Sequence, residues 1–263
     1  MPEPGRTKSE RRIAVVTAIT GAKDPLAPPA RRFGGVDFIL FSDDPAAAVE
    51  GWTVRSIPAW SSDPDRAPRR HARAVKVLTS LLVPGYDAYV WHDGTHEVLA
   101  DPYEMVRRFL EEPAVPFATF AHKERSCVYE EAKAVLGVKL DSKDNVARQM
   151  RSYRKAGYPS GHGLLETPVV LRKACAETTA IELAWWEQIC RYSSRDQLSL
   201  PFVAWRLGIG IGLMGPGNAF DNDLVRRARR HERLDFQWSA WQGLKKRLRS
   251  RIASVRHGGR RAA

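Results

Sequence analysis

The sequence predicts an α/β domain built on a mostly parallel central sheet flanked by helices. Three observations support this fold class. Apolar, β-branched runs recur along the chain, helical or loop-like segments separate them, and polar residues follow the end of each run. Fully buried parallel strands show such continuous runs, and their alternation with helices is typical of open α/β sheets. One large domain of this kind fits within the 263 residues.

The first third of the chain contains four predicted strands and one predicted helix. The strands cover residues 12–20, 36–44, 52–60 and 86–93. Apolar residues at helical spacing predict the helix over 71–83, and the Pro84-Gly85 pair ends it before the fourth strand.

Helices and strands also alternate in the second half of the domain. Ser194 and Gln197 have the spacing of a capping box, and Pro201 predicts a kink or a restart in the helix that follows. The predicted helices are 101–112, 126–138, 144–157 and 178–192, and the predicted strands are 115–122 and 165–173.

Positive charge is concentrated at the end of the chain. The formal net charge is +12, and residues 224–263 contain 13 Lys and Arg against 2 acids, which leaves +1 for the first 223 residues. Apolar residues recur every three or four positions from Trp238 to Val255, which predicts a helix with a basic face. We therefore divide the chain into a disordered stretch 1–11, a domain 12–223 and a basic amphipathic tail 224–263.

The basic tail has three interpretations. An amphipathic helix with a basic face suits an anionic membrane surface. A terminal helix docked on the domain, with its basic face in water, is an equal alternative. Clustered Lys and Arg also bind nucleic-acid phosphates, but no nucleic-acid-binding motif accompanies them in the sequence, which therefore does not favour that partner.

Two compositional features bear on compartment and metal binding. No apolar stretch approaches the roughly 18 to 20 residues of a membrane-spanning helix, and the first residues lack the apolar core of a signal peptide. We therefore expect a cytoplasmic location, peripheral at the inner membrane surface if the tail binds lipid. Three cysteines without C-x-x-C spacing, Cys127, Cys175 and Cys190, indicate free thiols rather than disulfides or a zinc site.

Polar residues suited to a ligand follow the predicted strands. In open α/β sheets ligands bind outside the carboxyl ends of the strands. Asp93 follows a buried strand and precedes a glycine, a pattern that suits a hard divalent cation or, equally, a capped turn. An Asx-type turn is the favoured alternative for Ser42–Asp44. The residues expected to line this edge are Thr17, Ala18, Ile19, Ser42, Asp43, Asp44, His92, Asp93 and Gly94.

Charged residues elsewhere are candidates for the same site. Arg69, Arg73 and Lys76 have the spacing of one helix face, which suits a diphosphate, although a solvated face is the simpler explanation of any single one. Arg195, Asp196 and Gln197 form a charged triplet between packed segments. Asp196 either caps a helix or, if it faces the ligand, holds a hydroxyl group or takes its proton.

Several segments occur in an order that resembles a known family. They are VWHDGTHEVLADPY, SCVYEEA, residues 149–157, LETPVVLRK and WWEQICRYSSRDQLSLPFV. Over roughly residues 12–208 the set resembles the glycosyltransferase-like family long catalogued only as a domain of unknown function, whose plant members are linked to mucilage and turgor. Trp91 stands where glycosyltransferases usually have the first Asp of an Asp-x-Asp motif, and Thr95 where plant relatives tend to have lysine.

This resemblance implies a GT-A-like (Rossmann-like) fold and transfer of a sugar from a nucleotide-diphosphate donor to a saccharide or other hydroxyl acceptor. Asp93 would take the place of the metal-binding acid, with Mn²⁺ or Mg²⁺ as the cofactor. Asp196 and Gln197 would line the sugar and acceptor side, with Arg195 beside them. On this hypothesis for the reaction, our own expectation is that the cation at Asp93, helped by Arg73 or Lys76 of the nucleotide-sugar site, would stabilise the departing diphosphate.

Two further hypotheses accompany this one. His231, in the basic tail, is a candidate second metal ligand, although a lone His among arginines is more often a solvated surface residue. A catalytically silent relative that binds nucleotides or glycans is the alternative to an enzyme.

Overall fold

Apolar runs of the sequence become the strands of a central sheet. The computed structural model describes residues 11–21, 26–57, 67–215 and 217–227. Strands β1 and β4 are buried almost throughout, as their continuous apolar sequences predict. The strands are β1 (Ile13–Ile19), β2 (Val36–Ser42), β3 (Thr53–Ser56), β4 (Ala88–His92), β5 (His96–Val98), β6 (Phe117–Ala121), β7 (Leu165–Lys173), β8 (Ile211–Leu213) and β9 (Val225–Arg227).

Helices connect most of these strands. They are α1 (Ala67–Val77), α2 (Thr79–Leu82), α3 (Pro102–Val106), α4 (Val128–Gly137), α5 (Lys143–Lys155), α6 (Ala176–Arg191) and α7 (Leu200–Leu207). A π-helical turn, Arg107–Glu111, follows α3, and a 3₁₀ turn, Asp196–Leu198, precedes α7. Asp101 caps α3 by accepting a hydrogen bond from the backbone N–H of Tyr103, and Ser142 caps α5 in the same way through Asn145.

Seven strands form the main sheet, in the order β3-β2-β1-β4-β7-β6-β8. The pairs β1–β2, β1–β4, β2–β3 and β6–β8 are parallel, whereas β7 is antiparallel to both of its neighbours. Because β7 runs in the opposite direction, its first residues lie at the same edge as the carboxyl ends of β1, β2, β4 and β6. Strands β5 and β9 pair in a separate two-stranded sheet.

Helices cover both faces of the main sheet. Trp91, Phe117 and Trp185 belong to the apolar cluster under α1 and α4 to α7. Val90 and Tyr103 belong to the cluster on the opposite face, under α3 and the π-helical turn. None of the helices in the described part of the chain is long and apolar enough to cross a membrane. The predicted three-layer α/β fold class is confirmed.

Most differences from the sequence-based elements occur at short or polar segments. The restart predicted at Pro201 is confirmed, since Pro201 lies in the first turn of α7. The capping box is not formed, because the backbone N–H and hydroxyl of Ser194 both contact Asp141. Strand β9, just beyond the predicted domain boundary at residue 223, pairs with β5, and the boundary itself stays a prediction. The first ten residues and the predicted tail helix lie outside the described residues.

A buried ion pair joins β7 to α1, α2 and α6. Nη1 of Arg172 lies 2.7 Å from Oε1 of Glu182, and both side chains are fully buried. Arg172 also donates to the backbone carbonyls of Lys76 and Val77, while the backbone N–H and hydroxyl of Ser80 donate to Glu182. This network fixes the end of α1, which is where Lys76 lies.

We expect Glu182→Ala to lower the free energy of unfolding by roughly 3–5 kcal/mol, because it leaves the guanidinium of Arg172 buried without its carboxylate. Glu187→Ala on the same helix removes only an exposed pair with Arg191 and should cost less than about 1 kcal/mol. Urea denaturation followed by circular dichroism measures both. Equal effects of the two substitutions would contradict this assignment.

Candidate active site

Asp93 lies where β4 ends, at the carboxyl edge of the parallel strands. Its backbone N–H donates to the carbonyl of Pro168 at 2.7 Å, and its own carbonyl accepts from the N–H of His96 at 2.8 Å. These two bonds fix the turn after β4. The Asp93 side chain is 33% exposed, so one carboxylate reaches solvent at the tip of a strand that is otherwise buried.

Lys76 bridges Asp93 to a second carboxylate. Its Nζ lies 3.0 Å from Oδ1 of Asp93 and 2.6 Å from Oδ2 of Asp196, and its side chain is only 1% exposed. Arg73 lies one helical turn earlier on the same face of α1. Its Nη1 is 2.9 Å from Oδ2 of Asp196 and 4.0 Å from Oδ1 of Asp93. Residues separated by 120 positions in the sequence thus meet at one point.

Uncharged donors complete this cluster. Nε1 of Trp91 donates to Oδ1 of Asp93 at 2.9 Å, and Oγ1 of Thr167 donates to Oδ2 of Asp196 at 2.9 Å. Nε1 of Trp185 donates to the backbone carbonyl of Asp196 at 3.2 Å. The residue at the position of the usual first Asp, Trp91, therefore serves as a hydrogen-bond donor to Asp93.

Both carboxylates are held in their ionised form. Burial opposes ionisation of Asp196, but Arg73 and Lys76 overcome it and keep its pKa well below the ordinary range. Burial likewise opposes ionisation of Asp93, and Lys76 followed by Arg73 lowers its pKa. A carboxylate stabilised so strongly is a weak base. The geometry therefore favours a role for Asp196 in anchoring Lys76 and Arg73 over the predicted uptake of a proton.

Arg195 and Gln197 flank Asp196 as predicted. Nη2 of Arg195 donates to Oε1 of Gln197 at 3.2 Å, and the Arg195 charge further lowers the pKa of Asp196. With Arg195, the cluster has three cations against the carboxylates of Asp93 and Asp196. This part of the edge therefore has a net charge of about +1, which suits an anionic ligand.

The described residues do not by themselves form a metal centre. No group of three or more His, Cys, Asp or Glu side chains suited to a metal ion occurs within the described ranges. Asp93 offers one partly exposed carboxylate, and its Oδ1 already faces the cation Lys76. This donor set alone does not fit a resident divalent cation, and metal binding by Asp93 stays a prediction. His231 lies outside the described residues.

The acids after β2 have local roles. Both carboxylate oxygens of Asp43 accept from the backbone N–H of Gly21, which ties the ends of β1 and β2 together. Oδ1 of Asp44 accepts from the N–H of Ala46, and the hydroxyl of Ser42 accepts from the N–H of Asp44. These contacts form the Asx-type turn that was the favoured alternative, and within the described residues they do not join the charged cluster.

Other predicted edge residues differ in how far they are buried. Thr17 and Ala18 are buried in β1. A Cβ atom at Gly94 would lie 2.3 Å from Cδ1 of Ile19, so Ile19 fills the space that we assigned to an approaching ligand. His92 is buried on the opposite face of the sheet, 5.6 Å from the ring of Trp52, and burial lowers its pKa. Ile19 and Gly94 are partly exposed, and His92 and Gly94 line a small cavity with Trp52, so ligand binding by these residues stays a prediction.

The first residues of β7 contribute to the site in a way that the sequence analysis missed. The register of β7 against β6 shifts there, because Thr119 pairs with Val170 while Phe120 pairs with Glu166. Residues 167–169 form a bulge that aims Thr167 at Asp196 and the carbonyl of Pro168 at Asp93. Polar residues and a proline inside an otherwise apolar strand are the sequence signal that could have indicated this bulge.

Glu166, beside this bulge, is a buried acid, and no Lys or Arg of the described residues forms an ion pair with it. Its side chain is 6% exposed, Oε1 lies 3.6 Å from Nε2 of His122, and Oε2 lacks a hydrogen-bond partner among the described residues. Burial is the main cause that raises its pKa to about 7. Burial also lowers the pKa of His122 to about 4. Both side chains are thus held towards their neutral forms.

We expect Glu166→Gln to be more stable than the wild type at pH 8 by up to about 3 kcal/mol. Between the ordinary pKa of a glutamate and about 7, folded Glu166 keeps a proton that the unfolded chain has lost, so wild-type stability falls as pH rises. The amide avoids this cost, and the two proteins should be equally stable near pH 4. Urea denaturation across this pH range measures the difference.

Glu130→Gln, at an exposed acid on α4, is the matched control and should show no such pH-dependent gain. The titration of His122 is present in the wild type and in both variants, so it largely cancels in the comparison. A Glu166→Gln difference that is constant from pH 4 to pH 8 would contradict the raised pKa.

The sheet order, the carboxyl edge and the charged cluster at that edge define an α/β domain with a candidate ligand site at the ends of its parallel strands. Residues 7–223 match the family described as "TOD1/MUCI70, glycosyltransferase-like domain". The chain belongs to this family, and the predicted resemblance is confirmed. A curated relative, "Probable hexosyltransferase MUCI70" of Arabidopsis thaliana, is 27% identical over 143 residues, which cover 51% of this chain and 25% of that protein. The match thus spans about a quarter of that relative.

Two solved structures are similar in fold. The apo crystal structure of mouse xyloside xylosyltransferase 1 aligns over 78% of this chain and 84% of its own, with 9% identity and a TM-score of 0.46. The apo structure of the bifunctional glycosyltransferase WbbM aligns over 90% of this chain and 45% of its own, with 10% identity and a TM-score of 0.45.

Proposed function

We propose that the chain transfers a sugar from a nucleotide-diphosphate donor to a saccharide or other hydroxyl acceptor. The observation that supports this most is the cluster of Lys76, Arg73, Asp93 and Asp196 at the carboxyl edge of the sheet. Membership of a glycosyltransferase-like family gives the general class of reaction. Synthesis of a cell-surface polysaccharide or glycoconjugate is the process that we infer for it.

The main chemical task is to stabilise the diphosphate as it leaves. The acceptor oxygen forms a bond to the anomeric carbon and loses its proton to the leaving diphosphate or to solvent. The bond between the anomeric carbon and the diphosphate oxygen breaks, and negative charge develops on that oxygen. Lys76 and Arg73 supply fixed positive charge, and the two carboxylates hold both side chains in place before the ligand arrives. Preorganised charge of this kind lowers a barrier because little reorganisation is needed during the reaction.

Exposed atoms near the cluster define where the donor approaches. Lys76 is almost fully buried, whereas Asp93 is one-third exposed and Arg73 is 17% exposed. The diphosphate would therefore meet Arg73 and the neighbourhood of Asp93 first. The loop after Ile19, of which residues 20 and 21 are described, is our proposed wall for the base and ribose.

A panel of nucleotide sugars, each tested with and without Mn²⁺, examines this proposal directly. A donor that binds only the native state at 100 times its dissociation constant stabilises it by about 2.7 kcal/mol, which raises the melting temperature. We expect one donor class to do this and to release nucleoside diphosphate when an acceptor is present. A donor that binds without any release would indicate a silent relative, and no response to any donor would contradict the proposal.

Location and membrane attachment belong to the same proposal. We infer a cytoplasmic enzyme whose basic tail, residues 224–263, contacts an anionic membrane surface. Deletion of residues 238–263 should then abolish sedimentation with phosphatidylserine vesicles while donor binding is kept. Unchanged sedimentation would contradict the role of the tail.

A further inference from the structure

A cleft rich in arginine lies beside the proposed active site. A shallow, largely open depression and a more enclosed concavity adjoin on the α5 side of the domain and share Tyr192 in their walls. We call them together the arginine cleft. Its basic and aromatic lining is Arg69, Arg70, Arg148, Arg151, Arg191 and Tyr192.

Positive charge exceeds negative charge in this cleft. Five arginines line it, whereas Asp141 is the one acid in its walls within the described residues. Asp141 already accepts from Ser193 and Ser194, and Glu187 forms an exposed pair with Arg191 at 2.7 Å. The five arginines and the two acids, Asp141 and Glu187, together give the cleft a net charge of about +3. This charge favours an anionic occupant.

Part of the cleft is held in a fixed geometry. Nη2 of Arg148 donates to the backbone carbonyl of Arg191 at 2.6 Å, and its guanidinium lies 5.8 Å from the centre of the Tyr192 ring. Arg151 follows Arg148 by one helical turn on α5 and is exposed. A planar guanidinium presents paired N–H donors that match a carboxylate or a phosphate, and a fixed one loses less entropy on binding.

The arginine cleft reaches the proposed active site along two elements. Arg69 lies one turn before Arg73 on α1, and Arg73 contacts Asp196. Ser194, in the wall of the cleft, immediately precedes Arg195 and is held by Asp141 through its N–H at 2.9 Å. A chain molecule lying in the cleft would therefore lead towards the residues around Asp196.

Its shape and composition favour a saccharide over a membrane. The exposed large apolar side chains of the described residues lie elsewhere and do not line it. The cleft therefore lacks the buried apolar area that strengthens the binding of a peripheral helix at a membrane interface. Tyr192 gives the cleft a flat ring on which a sugar could lie, next to guanidinium groups that would bind acidic substituents.

We propose that the arginine cleft binds an acidic saccharide acceptor whose sugar units bear carboxylates, as uronic acids do. This proposal rests on the proposed function and adds the substrate class on the acceptor side. The carboxylates would pair with Arg148, Arg151 and Arg70, while the end of the chain extends towards Asp196.

Direct binding to the full chain tests the proposal. The probe is an alginate hexasaccharide, and maltohexaose is its neutral counterpart, both measured by calorimetry at low and high salt. We expect alginate to bind with an affinity that falls as salt rises, and maltohexaose to bind at least about tenfold more weakly. Arg151→Glu should weaken alginate binding by about tenfold or more, and Arg151→Gln by a smaller factor.

Arg108→Glu is the matched control. It makes the same change of charge at an exposed arginine in the layer on the opposite face of the sheet, and alginate affinity should stay within about twofold. Melting temperatures check that each variant is folded. Equal losses from Arg151→Glu and Arg108→Glu, or equal binding of alginate and maltohexaose, would overturn the proposal.

Two further measurements separate the alternatives. If Arg151→Glu abolishes capture by phosphatidylserine vesicles while the wild type does not bind alginate, the cleft is a lipid site and the proposal is wrong. Donor binding is measured separately by thermal shift with the nucleotide sugars. Failure of alginate binding with a donor response overturns the acceptor inference alone, whereas absence of any donor response contradicts the proposed function.

Discussion

Lys76→Met is expected to lower the free energy of unfolding by roughly 3–5 kcal/mol and to reduce sugar transfer by about 10²- to 10³-fold. The ammonium of Lys76 lies between the carboxylates of Asp93 and Asp196 and is 1% exposed. Methionine leaves the buried Asp196 with Arg73 as its remaining charged partner. It also removes one of the two charges that we assign to the leaving diphosphate.

A second substitution separates these two effects. In Lys76→Met/Asp196→Asn the buried negative charge is removed together with its partner, so a large part of the lost stability should return. Transfer should stay low, because the positive charge of Lys76 is still missing. Chemical denaturation and the rate of nucleoside diphosphate release measure the two quantities. Recovery of both stability and activity in the double variant would contradict the proposed role of Lys76.

Asp93→Asn is expected to reduce sugar transfer by about 10²- to 10³-fold while the melting temperature changes little. Asparagine keeps an oxygen that can accept from Trp91, and the backbone bonds of residue 93 are unaffected. What is lost is the charge that orients Lys76 and Arg73 at the exposed tip of β4. The comparison requires kcat and KM for the donor found in the nucleotide-sugar panel.

Asp44→Asn is the control for this prediction. Asp44 also follows a strand at the same edge, but its Oδ1 accepts from the N–H of Ala46 in an Asx-type turn, which asparagine maintains. We expect wild-type transfer from this variant. Transfer by Asp93→Asn at the wild-type rate would exclude an essential charge at residue 93, and loss of Mn²⁺ stimulation in that variant alone would support the predicted metal contact.

Much of the fold could be predicted because its strands are long and buried. Strands β1, β2 and β4 contain five to seven residues, and each includes four consecutive apolar residues, so their burial is evident from composition. Strands β5, β8 and β9 contain three residues each, which is too short for a periodic pattern. The direction of β7 could not be predicted from the sequence either. An antiparallel strand that is buried on both faces has the same kind of apolar sequence as a buried parallel strand.

The candidate site was predictable in its residue types and less so in its contacts. Asp93 at a strand end and Arg73 with Lys76 on one helix face follow from local patterns. Local patterns did not reveal that His92 is buried against Trp52 or that Gly94 lies against Ile19, because both contacts depend on tertiary packing. Glu166 and Thr167 were missed because their position depends on a register shift between β6 and β7.

The sequence by itself determined the α/β fold class, the order of its main strands and helices, the family resemblance, and the presence of a carboxylate at the end of β4. Each of these depends on short-range periodicity or on a local motif. Only the tertiary structure decided that Lys76 lies between Asp93 and Asp196, that Trp91 donates to Asp93, and that arginines of α1, α5 and α6 line one cleft. These contacts join residues far apart in the chain, and the reversed direction of β7 brings its bulge to the same edge.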